Sequence, residues 1–165
     1  MLNTDLTFLK EEAKKQEKSN KLFFKNLKKN QLRDLDDTIH AIHYDVFEDM
    51  NCLDCGNCCK TLSPAMTHLD VIRISKALRI KAQDVEDKYL KMDEDDDYVF
   101  RSMPCPFLRE DNYCSIYENR PKACREYPHT NRKKFYQIRQ LTLTNAETCP
   151  AVGEILKRLK RDFSQ

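Results

Sequence analysis

The segment Cys52-Leu53-Asp54-Cys55-Gly56-Asn57-Cys58-Cys59 carries four thiols in eight residues, in the pattern C-x2-C-G-x-C-C. Two cysteines separated by two residues can turn both sulfurs toward one point on a tight knuckle. Thiolates so placed are the ligands of zinc and of iron–sulfur centres. Gly56 follows the second cysteine, where such a knuckle calls for a positive φ that glycine adopts at little cost. The chain has only two glycines, and one stands here. The other cysteines, Cys105, Cys114, Cys124 and Cys149, stand singly. With the first four they supply donors for one or two four-sulfur sites. Consecutive side chains diverge, so Cys58 and Cys59 are expected to face different ways. One would join Cys52 and Cys55, and the other would turn to a second site or pack as a buried thiol.

Two metal readings share these donors. Cys52-x2-Cys55-x2-Cys58 matches the first three ligands of a bacterial ferredoxin run, whose remote ligand precedes proline, as Cys105 and Cys149 do here. The usual fourth cysteine at x3 is missing, and Cys59 intrudes. Zinc asks only for four donors in a tetrahedron and takes remote pairs such as Cys105 with Cys114. Both metals accept the same thiolates, so the spacing leaves zinc and iron open, a 4Fe-4S cluster included. A four-thiolate site keeps a net charge of about −2, which cations or N–H donors must offset. Arg120, Lys122 and Arg125 bracket Cys124. Arg120 and Arg125 are the candidates to lie against the centre, while Lys122 reads more plainly as a surface charge. Tyr117 and Tyr127 are expected to pack around it.

The rest of the chain must position these residues. At 165 residues it is one domain, or one domain with a helical extension. Charged residues make up 34% yet leave a net charge of only +2, which argues against a nucleic-acid footprint. A hydrophobic content of 40% without tryptophan gives a modest core, thin without some cross-linking element. Met1 to Lys15 has no apolar run to serve as a signal peptide, and no stretch is apolar enough to span a bilayer. These features point to the cytoplasm, where thiols stay reduced and clustered cysteines bind metal or do redox work more often than they form disulfides.

The expected fold class is mainly α with a small β-hairpin element. It divides into a helical region over 1–50 and a cysteine-cluster metal-binding domain with a C-terminal helix over 51–165. Residues 4–50 read as two helices with a break at Ser19-Asn20, and Leu32, Leu35, Ile39, Ile42 and Val46 mark the apolar face of the second. His40 and His43 lie near its end without a third ligand close by, and read as ordinary histidines. Thr67 and Asp70 form a capping box that opens a helix over 68–79, with Leu69, Ile72, Ala77 and Leu78 on its apolar face and Val71 and Ile74 beside it. Residues 84–91 read as a short helix, 93–97 as an acidic linker without the pattern of a calcium loop, and 98–101 as a strand. A small hairpin would set Cys105 near Cys114. Arg120-Pro121 starts a helical turn bearing Cys124, residues 135–143 alternate like a strand, and Pro150 opens the last helix.

Taken together, Cys52-x2-Cys55-Gly56-x-Cys58-Cys59, Cys105-x-Phe107-Leu108 and Cys114-x-Ile116-Tyr117-x2-Arg120-Pro121-x2-Cys124-Arg125-x-Tyr127-Pro128 resemble the YkgJ-type cysteine-cluster family, described as a zinc- or iron-chelating domain. The likeness covers roughly residues 50 to 150. It implies metal chelation by these cysteines, one by one. Flagellin lysine-N-methylases share a similar cluster, so an iron–sulfur enzyme of methyl transfer or redox is the alternative. A thiol-redox protein working through Cys58-Cys59 or a C-x-x-C pair is a third, but the chain lacks the βαβ setting of such motifs. With two glycines it builds no phosphate loop or dinucleotide fingerprint. The protein partner and oligomeric state are not legible.

Overall fold

The structure is a computed structural model and describes residues 2–164. In chain order the elements are α1 (Leu6–Asn26), α2 (Lys29–Glu48), α3 (Cys52–Cys55), α4 (Asn57–Thr61), α5 (His68–Leu78) and α6 (Ala82–Tyr89). They continue with β1 (Leu90–Met92), β2 (Tyr98–Phe100), a 3-10 turn Tyr117–Asn119, α7 (Lys122–Glu126), a 3-10 turn Phe135–Ile138, α8 (Arg139–Asn145) and α9 (Pro150–Phe163). The mainly helical class with one small antiparallel hairpin agrees with the expectation. Two compact units form: the first joins the chain up to Asn51 with Pro128 onward, and the second is Cys52–Tyr127. Among the described residues no helix is long and apolar enough to cross a membrane.

In the first unit α2 packs against α9. Leu35, Ile39, Ile42 and Val46 are buried as their spacing predicts, and Ile155, Leu156 and Leu159 are buried on α9. Leu32, expected on the same face, is 40% exposed because it stands in the first turn. The break expected at Ser19-Asn20 is absent. Asn20 is buried inside α1, and Phe23 and Phe24 carry the helix on to Asn26. Phe24 packs on Phe135 with ring centroids 6.1 Å apart. Burial of such a ring outweighs the weak local preference of Ser and Asn for caps. The break falls at Leu27-Lys28 instead, where Gln31 Oε1 accepts the Lys28 N–H at 2.9 Å.

The strand expected over 135–143 is also absent: that segment is a 3-10 turn running into α8. Asp36 of α2 accepts the N–H groups of Lys134 and Phe135 at 2.6 and 2.9 Å, which stops extended pairing. Phe135, Thr142 and Asn145 are the buried positions, a helical rather than an alternating spacing. Pro150 occupies the start of α9, where its missing N–H costs nothing.

In the second unit Met66, Val71, Ile74, Val85, Leu90, Phe100, Phe107 and Ile116 form one core, with Cys105 and Cys114 packed against it. The expected helix over 84–91 starts at Ala82 and ends at Tyr89. Leu90–Met92 leave it as β1 and pair with β2 in the register Leu90↔Phe100, Lys91↔Val99, Met92↔Tyr98. The capping box on α5 is present, but its inward face is not the expected one. Leu69 is 70% exposed and Ala77 is exposed, while Asp70, Val71, Ile74 and Ser75 are buried. The helix is turned so that a carboxylate points inward.

His40 and His43 are engaged within the first unit. His40 Nε2 lies 3.1 Å from the Arg132 carbonyl oxygen. His43 Nδ1 shares a 2.7 Å hydrogen bond with the hydroxyl of fully buried Thr130, and its ring lies on Phe47 at 4.6 Å. Burial, and then the neighbouring His40, hold the pKa of His43 below its ordinary 6.5. The fold therefore favours the neutral ring. Its contribution is intact above the ordinary value and is lost as pH falls from there through the depressed folded value. Denaturant unfolding of the full chain should show stability falling as pH drops below about 6.5. His43→Gln should flatten that slope; a slope unchanged by the substitution would assign it elsewhere.

Candidate metal centre

Seven of the eight thiols lie in the second unit, on short segments whose backbones are tied to one another. Cys52 and Cys55 bound the single turn of α3, and Gly56, at φ 62°, turns the chain directly into α4 with Cys58 and Cys59. The Gly56 N–H donates to the Cys52 carbonyl at 3.0 Å, and Lys60 Nζ donates to the Cys55 carbonyl at 3.1 Å. The Cys105 N–H donates to the Cys59 carbonyl at 2.8 Å, which fastens the third segment to the knuckle. Leu108 and Cys114 then form an antiparallel bridge, and the Ser115 N–H donates to the Phe107 carbonyl at 2.8 Å. This is one bridge, not the ladder of a full hairpin, but it does bring Cys105 and Cys114 to the same place. Cys124 sits on α7.

Cys58 and Cys59 do not face apart as expected. Their sulfurs lie 4.0 Å from each other. On a helix consecutive side chains are only about 100° apart, and neighbouring rotamers can lean together. The separation is close to the edge of a tetrahedron with zinc–sulfur bonds of about 2.3 Å, which is about 3.8 Å.

Among the described residues Cys59 is the one thiol of the group whose pKa is lowered. Its sulfur hydrogen bond with Cys58 is the main cause that lowers its pKa to about 7, against the opposing effect of burial, and Lys60 and Arg120 add to the lowering. A charge on Cys59 then acts on Cys52, Cys105, Cys114 and Cys124. Burial is the first cause that raises all four, and it pushes Cys105 up to about 11 and Cys124 up to about 12. Arg120 opposes the rise at Cys52, Cys114 and Cys124. Its guanidinium is fixed by the Tyr117 carbonyl at 2.6 Å and by the Tyr117 ring at 3.7 Å. Arg125 is exposed, and Lys122 pairs with Glu126 at 3.6 Å. Cys149 is buried in the first unit, just ahead of α9.

None of the eight cysteines is in a disulfide. Among the described residues no group of three or more His, Cys, Asp or Glu side chains is arranged to hold a metal ion as it stands. The donors thus fit a soft metal by chemistry and by number, and not by a finished coordination shell. Sequence reading missed two contributors. Asn112 Nδ2 donates to the Asp54 carbonyl at 3.5 Å, and Asp70 reaches across to α7; both join residues more than 50 positions apart, for which no local signal exists.

A family model named CxxCxxCC, with the description "Putative zinc- or iron-chelating domain", matches residues 51–150. No curated protein and no solved structure matches the chain.

The two glycines separate site geometry from helix propensity. A Cβ on Gly56 would meet Asn112 Oδ1 at 3.1 Å and Cβ at 3.3 Å, in a left-handed conformation, whereas a Cβ on Gly153 meets nothing within 4 Å. Gly56→Ala should cost about 1–2 kcal/mol of stability in urea unfolding. Gly153→Ala, in the middle of α9, should instead stabilise by up to about 1 kcal/mol. Equal effects of the two substitutions would show that the turn at Gly56 is not strained by a side chain.

Proposed function

This chain belongs to the CxxCxxCC family of zinc- or iron-chelating domains, and from that premise we propose that the thiols of Cys52–Tyr127 chelate zinc or carry an iron–sulfur centre. The observation that supports the reading is the 4.0 Å approach of the Cys58 and Cys59 sulfurs, with charge on Cys59 felt at Cys52, Cys105, Cys114 and Cys124. Cys59, whose pKa is lowered to about 7 by its hydrogen bond with Cys58, would be a ligand together with Cys58. The raised thiols of Cys105 and Cys124 give up their protons only against a positive charge. Arg120 offsets part of the negative charge that remains. A bound zinc ion would cross-link the segments, and an iron–sulfur cluster would in addition pass electrons. Eight cysteines outside any disulfide suit a reducing compartment, which supports a place in the cytoplasm.

The test is elemental analysis of anaerobically purified protein together with its absorption spectrum. Stoichiometric zinc in a colourless protein identifies a zinc site and removes the methyl-transfer alternative, which needs an iron–sulfur centre. Iron with visible sulfur-to-iron charge transfer identifies the cluster. Cys59→Ser and Cys55→Ser should each lose most of the metal and lower the melting temperature of the loaded protein. Protein that purifies reduced, folded and free of both metals would overturn chelation in favour of thiol redox.

A further inference from the structure

Asp70 is 1% exposed and stands at the third position of α5. Its two oxygens do different things. Oδ2 accepts the Thr67 N–H at 2.9 Å and the Thr67 hydroxyl at 2.7 Å, which caps its own helix. Oδ1 accepts the backbone N–H of Lys122 at 2.9 Å and pairs with Arg73. Lys122 is the first residue of α7, and Pro121 at the cap position offers no side-chain acceptor. The first amides of a helix need one, and Asp70 supplies it from 52 residues away.

Arg73 completes the attachment. The Nη2 that pairs with Asp70 also donates to the Arg120 carbonyl at 3.3 Å. The backbone is therefore held on both sides of Pro121. Arg120, on one side, carries the guanidinium that opposes the thiol charges. Cys124, on the other, is the third residue of α7. We propose that Asp70 is a positioning residue of the metal centre: by capping α5 and α7 at once, and through Arg73, it sets where Arg120 and Cys124 stand relative to Cys59. This rests on the chelation reading above and deepens it.

The second unit contains its own control. Asp84 is the third residue of α6, and its Oδ2 accepts the Lys81 N–H at 3.1 Å. It caps a helix as Asp70 does, but that helix bears no cysteine. Full-length protein, reduced and stripped of metal, is titrated with Zn2+ against a chromophoric chelator and separately with Co2+. Asp70→Asn should weaken Zn2+ binding at least tenfold and alter the sulfur-to-cobalt charge-transfer band. Asp84→Asn should leave affinity within about twofold of the parent and the band unchanged, whatever it does to melting. Arg73→Gln, which keeps the Lys122 cap but drops the Arg120 tie, should weaken binding several-fold and decides the matter if Asp70→Asn does not fold. Parent-like affinity and spectrum in Asp70→Asn, or losses matched by Asp84→Asn, would overturn the positioning role and leave chelation standing. So would parent-like affinity in Arg73→Gln. A parent protein that takes up neither ion overturns both readings.

Discussion

Thiols brought together out of water do not ionise together. Each charge that forms on one sulfur raises the cost of the next, and desolvation raises it further. The second unit shows this pattern around Cys59, which is held near neutrality at about 7, while Cys105 and Cys124 are pushed up to about 11 and about 12. The Cys58 sulfur hydrogen bond lowers Cys59 most, and Lys60 and Arg120 add to it. A cation bound by such thiols would offset this cost, in keeping with a zinc- or iron-chelating domain. Burying so many thiols for packing alone would need no such convergence, because a lone buried cysteine behaves as a small hydrophobe.

The scaffold that gathers them is backbone rather than side chain. α3, α4 and α7 are four or five residues long, far below the length at which a helix holds itself in water. Each is kept by what grips its ends: the Gly56 turn, the Cys105 N–H on the Cys59 carbonyl, and the Asp70 carboxylate on the Lys122 N–H. The core of α5, α6 and the two-stranded hairpin lies behind these grips and supplies the apolar burial that the short segments lack.

What the sequence shows of this depends on the range of each cause. Gly56, the Thr67–Asp70 box and Pro150 were legible because a positive φ, a cap and a first helical position are settled within a few residues. The four thiols of the knuckle and the single cysteines were legible as donors because spacing and residue type carry that chemistry. The failures share a different origin. α1 runs through Asn20 because Phe24 finds Phe135, more than 100 residues away. Residues 135–143 turn helical after Asp36 claims the amides at 134 and 135. α5 shows an unexpected face because Asp70 is wanted inside by Lys122 and Arg73. In each case a distant partner overrode a local pattern.

Asp70 shows most clearly why the cysteine pattern alone underdetermines the site. Its carboxyl is drawn up by burial, yet the Thr67 hydroxyl and N–H, the Lys122 N–H and Arg73 together hold it below its ordinary value of 3.8. A buried carboxylate that stays ionised must be satisfied on every side, and the partners that satisfy it lie on both α5 and the segment leading to Cys124. Its charge is therefore met by groups from both segments. A neutral residue of the same size would fill the space without needing them. The carboxylate and Arg73 thus hold the backbone on both sides of Pro121, alongside the apolar packing of Val71 and Ile74 with Ile116.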